Sequence, residues 1–273
     1  MKLDAFTRPF RRIKSFCRRY SYYWNGGMFD AVEKFCLFIG YPRSGHTLIG
    51  AFIDAHPDAV MGFGNELSAL LERGATRNHI YSDLMERARV RRRKPTDRYR
   101  MGTQWQGGRH RRLRLVGQKR AGESSRMFAA KLELLGVLRE RVGVPLKVIH
   151  VVRNPYDNIT TISRKHDMSL PQAIDYYFYM CAAVRVLRAR LDGDELITIR
   201  QESVIADPKE ELSRLFEFLS LETDEQFLND CAKMVYEKPH QSRYLLEWTD
   251  ELKGLVEQRI REYPYLSEYT FDH

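Results

Sequence analysis

Gly40-Tyr-Pro-Arg-Ser-Gly45-His46-Thr47 sets two glycines five positions apart and a hydroxyl two positions after the second. That is the spacing of a phosphate-binding loop, GxxxxGK[ST], with His46 where the lysine would stand. The apolar run Phe35-Cys-Leu-Phe-Ile39 precedes it, and Leu48, Ile49, Phe52 and Ile53 follow at helical spacing. The segment therefore reads as strand, tight loop and helix. A loop ending at a helix N-terminus aims successive backbone N–H groups and the positive end of the helix dipole at one point, which suits an anion. Arg43 adds a cation within that loop. A second cation, Arg153, follows the apolar run Val148 to Val152, at the strand end where open α/β sheets place ligands. A nucleotide triphosphatase would need the loop lysine and an Asp after the second strand to hold Mg²⁺. Arg153 would instead repel Mg²⁺ and attract a further phosphate, so the two sites suit a donor with phosphates at both ends of a nucleoside.

Pro42-Arg-Ser-Gly-His-Thr-Leu48 resembles the PRSGTTL loop of sulfotransferases that use 3′-phosphoadenosine 5′-phosphosulfate, as in tyrosylprotein and bacterial sulfotransferases, with His46 replacing a Thr. The resemblance covers about 36–262 and includes Asp54-Ala-His-Pro-Asp58, Gly117-Gln-Lys119 and Ile205-Ala-Asp-Pro208 with Leu215-Phe-Glu-Phe-Leu219. It implies a P-loop-like α/β fold and transfer of a sulfuryl group to an acceptor hydroxyl or amine, without a metal. Ser44, Gly45, His46, Thr47 and Leu48 would then hold the 5′-phosphosulfate. Arg153 and Thr161, eight residues on where the family has a Ser, would hold the 3′-phosphate together with the late loop containing Ser242 and Arg243. Glu66 falls where the family has its catalytic base, and Lys119 where a lysine meets the sulfuryl group. Arg43, Lys119 and the loop amides would stabilise charge on the leaving oxygens. Gln201 stands where the family often has a tyrosine against adenine.

Each of these residues also has a plain structural reading. Glu66 opens a helical pattern with Leu67, Leu70 and Leu71, where an acid suits the helix dipole. Lys119 lies among many basic residues and alone reads as a solvated charge. His56, before Pro57, is expected to be structural, and Tyr176-Tyr-Phe-Tyr179 to be part of a packed helix. Two functions from other classes stay open: a degenerate phosphate-loop kinase, and a non-enzymatic module binding RNA or an anionic polymer.

The elements that must position these groups can be traced from periodicity. Met127, Ala130, Leu134, Leu135, Leu138 and Val142 predict one helix over 124–142, leading through Pro145 into a strand at 147–152. Helices through Ile159 and Ile162 and over about 169–191 come next, then a strand at 196–199. Asp207-Pro-Lys-Glu210 is a capping box opening a helix over 208–219. Strands alternating with helices predict a three-layer α/β domain with a mostly parallel central sheet, helices on both faces and a helical C-terminal part.

The chain has 273 residues, 43% of them apolar, enough for a sizeable core, and no apolar run approaching a membrane span. Its net charge of +9 is uneven. Residues 73–120 carry +13 and residues 1–20 carry +6, so the remainder is acidic at −10. The expected organisation is a basic N-terminal segment over 1–34 and one sulfotransferase-like domain over 35–273, with an Arg-rich insertion at about 87–114. The N-terminal segment has an apolar stripe (Phe6, Phe10, Ile13, Cys17, Tyr20) between arginines, which could pack on the body or lie on an anionic membrane surface. The insertion reads as a solvated face or as a border of the acceptor site that attracts an acidic glycan, lipid headgroup or peptide. Four scattered cysteines without metal-ligand spacing read as reduced thiols, and the absence of a secretory pattern at the N-terminus gives a cytoplasmic expectation.

Overall fold

A strand shielded on both faces carries a continuous apolar run rather than an alternation. The chain has two such strands: β1 (Lys34–Ile39), buried from Phe35 onward, and β4 (Leu146–Val152), buried at every position but Lys147. They pair in parallel, Phe35 opposite Leu146 and Ile39 opposite His150. β2 (Ala59–Phe63) and β3 (Leu115–Lys119) extend the sheet beyond β1, and β5 (Leu196–Arg200) extends it beyond β4. The order is β2-β3-β1-β4-β5, parallel throughout. The computed structural model describes residues 26–63, 67–92 and 112–272. The apolar stripe of the N-terminal segment, Glu66 and positions 93–111 of the Arg-rich stretch lie outside the described residues.

Parallel neighbours need crossovers, and helices supply them. α1 (His46–Ala55) follows β1; α2 (Leu67–Glu72) and α3 (Arg77–Arg92) lie between β2 and β3; α4 (Ala121–Ala130) and α5 (Glu133–Val142) lead to β4. α6 (Pro155–His166) and α7 (Leu170–Arg188) lead to β5, and α8 (Gln201–Ala206), α9 (Pro208–Phe218), α10 (Glu225–Ala232) and α11 (Asp250–Ile260) follow it among the described residues, with two short 3₁₀ turns after β5 and one at Gly26–Phe29 before β1. Because side chains alternate along a strand, β1 feeds two cores. Phe35, Leu37 and Ile39 join Tyr81, Phe128, Val148 and Tyr177 on one face; Cys36 and Phe38 join Phe52, Ile149 and Phe216 on the other. The expected three-layer α/β architecture is what the chain adopts.

Several local expectations hold. Ser169 caps α7 with a complete capping box to Gln172, and Asp207 accepts from the Glu210 amide at 3.0 Å to start α9. Within α7, Tyr177 and Phe178 are buried. His56 is structural, its Nε2 facing the Glu222 carbonyl at 2.9 Å and its Nδ1 accepting from the Asp58 amide. Cys36, Cys181 and Cys231 are free, buried thiols; Cys17 lies outside the described residues. No helix among the described residues is long and apolar enough to cross a membrane.

The single helix expected over 124–142 is two. α4 ends where Lys131 turns to φ −137°, and α5 starts two residues later without a glycine or proline to mark the break. Both β2 and β3 escape the periodicity. Each has five residues and a central or near-central glycine, AVMGF and LVGQK. Gly117 is in register with Cys36 on one side and Met61 on the other. A Cβ there would fall 2.7 Å from the Cys36 carbonyl oxygen and 2.6 Å from Met61 Sδ. Gly117→Ala is therefore expected to destabilise the fold by about 1–3 kcal/mol through overpacking, read as a lower urea midpoint with an unchanged m-value.

Candidate functional site

The carboxyl ends of β1, β3 and β4 lie side by side, and each delivers a residue to one place. At the end of β1 the chain must reverse into α1 within a few residues, and it does so through three left-handed positions: Gly40 at φ 133°, Arg43 at φ 71° and Gly45 at φ 98°. Arg43 is the non-glycine among them, a conformation that costs of order 1–3 kcal/mol and clusters at functional sites. Local bonds fix the loop. The Gly40 amide donates to Ser125 Oγ at 2.8 Å, Ser44 Oγ donates to the Tyr41 carbonyl at 3.0 Å, and Asn158 Nδ2 donates to Ser44 Oγ at 3.0 Å. Gly45 occupies the N-cap of α1 without a side chain to cap it, so the His46 and Thr47 amides are left for a ligand or water, while that of Leu48 donates to the Gly45 carbonyl at 3.0 Å.

Lys119, the last residue of β3, donates to Thr47 Oγ1 at 2.8 Å. Burial, with the neighbouring cations Arg91, Arg43 and Arg120, lowers its pKa to about 8. A group whose folded pKa lies below its unfolded value opposes folding at pH below that folded pKa, and this opposition fades as pH rises toward 10.5, the ordinary lysine value. An arriving anion would relieve it at neutral pH.

Arg153 follows β4, and Asn154 with Pro155 starts α6 at once: Asn154 Oδ1 accepts from the Tyr156 amide at 2.9 Å. The Arg153 side chain is 7% exposed. It donates to the Arg43 carbonyl (3.4 Å), Thr161 Oγ1 (3.4 Å), Ser242 Oγ (3.1 Å) and the His240 carbonyl. All four are neutral oxygens. Among the described residues no carboxylate approaches this guanidinium within ion-pair distance; Asp157 and Glu202 act on it only through space, and burial lowers its pKa.

The structure thus gathers Arg43, the Ser44–Leu48 segment, Lys119, Arg153, Thr161 and Ser242 around the strand ends, while Glu66 lies outside the described residues. Two expectations are corrected. The His46 ring does not face the loop mouth: it is buried beneath the loop, edge-on to Phe38, because Gly40 lacks a Cβ that would sit 2.8 Å from His46 Nε2. Burial there lowers its pKa to about 3, so only its backbone amide is placed to meet an anion. The Ser44 hydroxyl is likewise committed to the loop's own shape. The Arg243 guanidinium is shared with Asp157: it donates to Asp157 Oδ2 at 3.0 Å and its amide donates to Asp157 Oδ1 at 2.8 Å, while its Nε has no hydrogen-bond partner among the described residues. Both side chains of that pair are 3% exposed.

The described sulfotransferase family matches residues 37–225, more than two thirds of the chain. The chain belongs to the sulfotransferase family. No curated protein matches it. A solved sulfotransferase from Mycobacterium avium is 13% identical over 92% of this chain and 82% of its own, with a TM-score of 0.52, and shares the fold. The sulfotransferase domain of the Synechococcus PCC 7002 olefin synthase is 19% identical over 73% and 77%, at a TM-score of 0.47. A mouse sulfotransferase complexed with PAP is 13% identical over 81% and 68%, at 0.44.

Residues of this sulfotransferase site that the sequence reading missed are supports: Ser125, Asn158, Asp157 and His240. Ser125 and Asn158 touch the loop and His240 touches Arg153, each from a distant element, while Asp157 holds Arg243; no local spacing announces such contacts. Asp157 carries the largest share, since it fixes the 3₁₀ turn Ser242–Leu245 against α6 through both the amide and the guanidinium of Arg243. Removing one partner of a buried ion pair strands the other charge, at about 3–5 kcal/mol. Asp157→Asn is expected to lose stability in that range, measured by chemical denaturation.

Proposed function

We propose that this sulfotransferase moves the sulfuryl group of 3′-phosphoadenosine 5′-phosphosulfate to a hydroxyl or amine of its acceptor. The reading is carried by Arg153. A guanidinium taken out of water among neutral oxygens alone is poorly compensated unless an anion joins it, and it stands next to a loop that itself suits an anion. Two anion sites side by side, one at the glycine loop and one at Arg153, Thr161 and Ser242, fit a nucleotide with a 5′-phosphosulfate and a 3′-phosphate. The nucleoside would bridge them past a recess of about 40 Å³ lined by Gly45, Leu48, Gln201, Val204, Ile205 and Tyr236. Gln201 Oε1, buried there without a partner, offers an acceptor to an exocyclic amino group.

In this reading the acceptor oxygen attacks sulfur from the side opposite the bridging oxygen. A new S–O bond forms as the bond to the 5′-phosphate breaks, and the acceptor's proton passes to a carboxylate. Glu66 is assigned that base role from the sequence alone. Lys119, Arg43 and the amides of the loop meet the charge that gathers on the leaving phosphate. The His46 ring beneath the loop stays neutral, because burial lowers its pKa to about 3.

Adenosine 3′,5′-bisphosphate is expected to bind about 10–100-fold more tightly than AMP, the gain typical of charge-assisted hydrogen bonds to one added phosphate. In Arg153→Gln the two nucleotides should bind alike. Calorimetry checks both, with ATP and RNA titrated alongside; equal affinities in the parent would overturn the donor assignment, and Mg²⁺-dependent ATP binding would favour a kinase. Lys119 gives a second outcome. It is cationic below its pKa of about 8, so affinity for the bisphosphate should decline as pH rises above that value. Lys119→Met should bind more weakly at neutral pH and lose that step.

A further inference from the structure

Ser242 Oγ stands at the centre of the second anion site and has three polar neighbours. Arg153 donates to it at 3.1 Å, Thr161 Oγ1 lies 3.1 Å away, and His240 Nδ1 lies 2.9 Å away. A hydroxyl has one proton to give and two lone pairs to fill, so the state of the imidazole determines where that proton points. Thr161 donates its own proton to the Asp157 carbonyl at 2.8 Å, and Arg153 fills one lone pair of Ser242. If His240 Nδ1 is bare, the Ser242 proton goes to it and is lost to a ligand. If Nδ1 carries a proton, the ring donates instead and the Ser242 proton is released. The backbone holds the ring in this place, because the Ser242 amide donates to the His240 carbonyl at 2.9 Å and Arg153 donates to the same carbonyl. His240 is exposed, so its ring exchanges protons with solvent.

The charges around Arg153 bear on when that ring is cationic. Arg43, in the glycine loop, and Arg243, in the 3₁₀ turn, add to the positive field of Arg153, while Asp157 of α6 and Glu202 of α8 oppose it. Both acids are already engaged. Asp157 holds Arg243, and Glu202 accepts from the Asn154 amide at 2.9 Å and from the Tyr269 hydroxyl at 2.8 Å. Three arginines against two committed carboxylates disfavour a further cation, and an arriving phosphate reverses that balance.

We infer that His240 becomes an imidazolium as the 3′-phosphate binds, its Nδ1 donating to Ser242 Oγ so that the Ser242 proton turns to the phosphate. This rests on the donor reading above, which puts the 3′-phosphate at Arg153, Thr161 and Ser242. His240 is then a positioning residue, and the site takes a proton from solution together with its ligand. Imidazole suits that exchange near neutral pH. A nucleotide with a free 3′-hydroxyl brings no charge to this place and draws no proton to the ring.

The test titrates the whole chain with AMP and with adenosine 3′,5′-bisphosphate by calorimetry at pH 7.5, in two buffers of different ionisation heat, which yields the protons taken up per ligand bound. AMP controls for Lys119, because both nucleotides carry the 5′-phosphate. The bisphosphate is expected to take up roughly 0.3–0.9 of a proton more than AMP. His240→Asn, whose side-chain amide can still donate to Ser242 Oγ, should lose that difference and bind the bisphosphate about tenfold more weakly, with AMP within about twofold of the parent. If the variant does not fold, the His240 ring resonance of the parent serves instead: at pH 7.5 it should move to its charged position with the bisphosphate and stay with AMP. Tighter binding of the bisphosphate without extra proton uptake, uptake retained in His240→Asn, or an unmoved ring resonance overturns the role of His240 and leaves the donor reading standing. A bisphosphate bound no more tightly than AMP overturns the donor reading instead.

Discussion

Folding takes the Arg153 guanidinium out of water and gives it no carboxylate, and much of the surrounding architecture answers to that fact. Its four partners belong to three separate parts of the chain: the carbonyl of Arg43 in the glycine loop, Thr161 in α6, and His240 with Ser242 near the C-terminus. One cation thereby ties the loop after β1 to the helix after β4 and to a turn some ninety residues later. Each tie also has a support of its own, Asp157 for the turn, Asn154 for the start of α6, and Asn158 for the loop. The left-handed backbone at Arg43 fits this picture, because the bond to its carbonyl exists only if the peptide faces Arg153. An arginine bound to neutral oxygens alone keeps most of its electrostatic pull for whatever arrives from outside.

The charge is one-sided. Beneath the loop lie His46 and His150, both kept neutral by burial, within a layer of rings that includes Tyr41, Tyr177 and Tyr265. His150 Nδ1 accepts from Arg188, so even this cation is turned toward a ring nitrogen and Thr198 on the far side of the sheet end rather than toward the loop. Around the loop mouth Arg43, Lys119 and Arg153 are positive, with Asp157 and Glu202 acting on Arg153 through space. A buried, uncharged floor under a cationic rim strengthens each interaction made at the rim, since burial lowers the local dielectric.

What the residues disclosed in advance follows from range. The loop at 40–47 was legible because its function is written in consecutive positions, and β1 and β4 because double burial demands unbroken apolar runs. The cap Asp207 was legible for the same reason, as it bonds within its own first turn. The direction of the His46 ring was not, since it depends on the Cβ that Gly40 lacks and on Phe38 one strand face away. Nor was the commitment of Arg243 to Asp157, which joins positions 86 apart in the chain. β2 and β3 were hidden for a different reason: each is short, and a glycine that neighbouring strands or helices require interrupts its apolar pattern.

The strand order also has a consequence for how this chain is made. β1 sits at the centre of the sheet yet comes first in sequence, and its two neighbours, β3 and β4, begin about 80 and 110 residues later. At roughly 5–20 residues per second of synthesis, the apolar segment Lys34–Ile39 would leave the ribosome roughly 4–16 seconds before its first sheet partner exists. During that interval α1 can shield one face, and on the other Tyr81 of α3, which packs on Phe35, is already made. A chain built this way depends on its surroundings, such as a holding chaperone, while both edges of its central strand wait for partners.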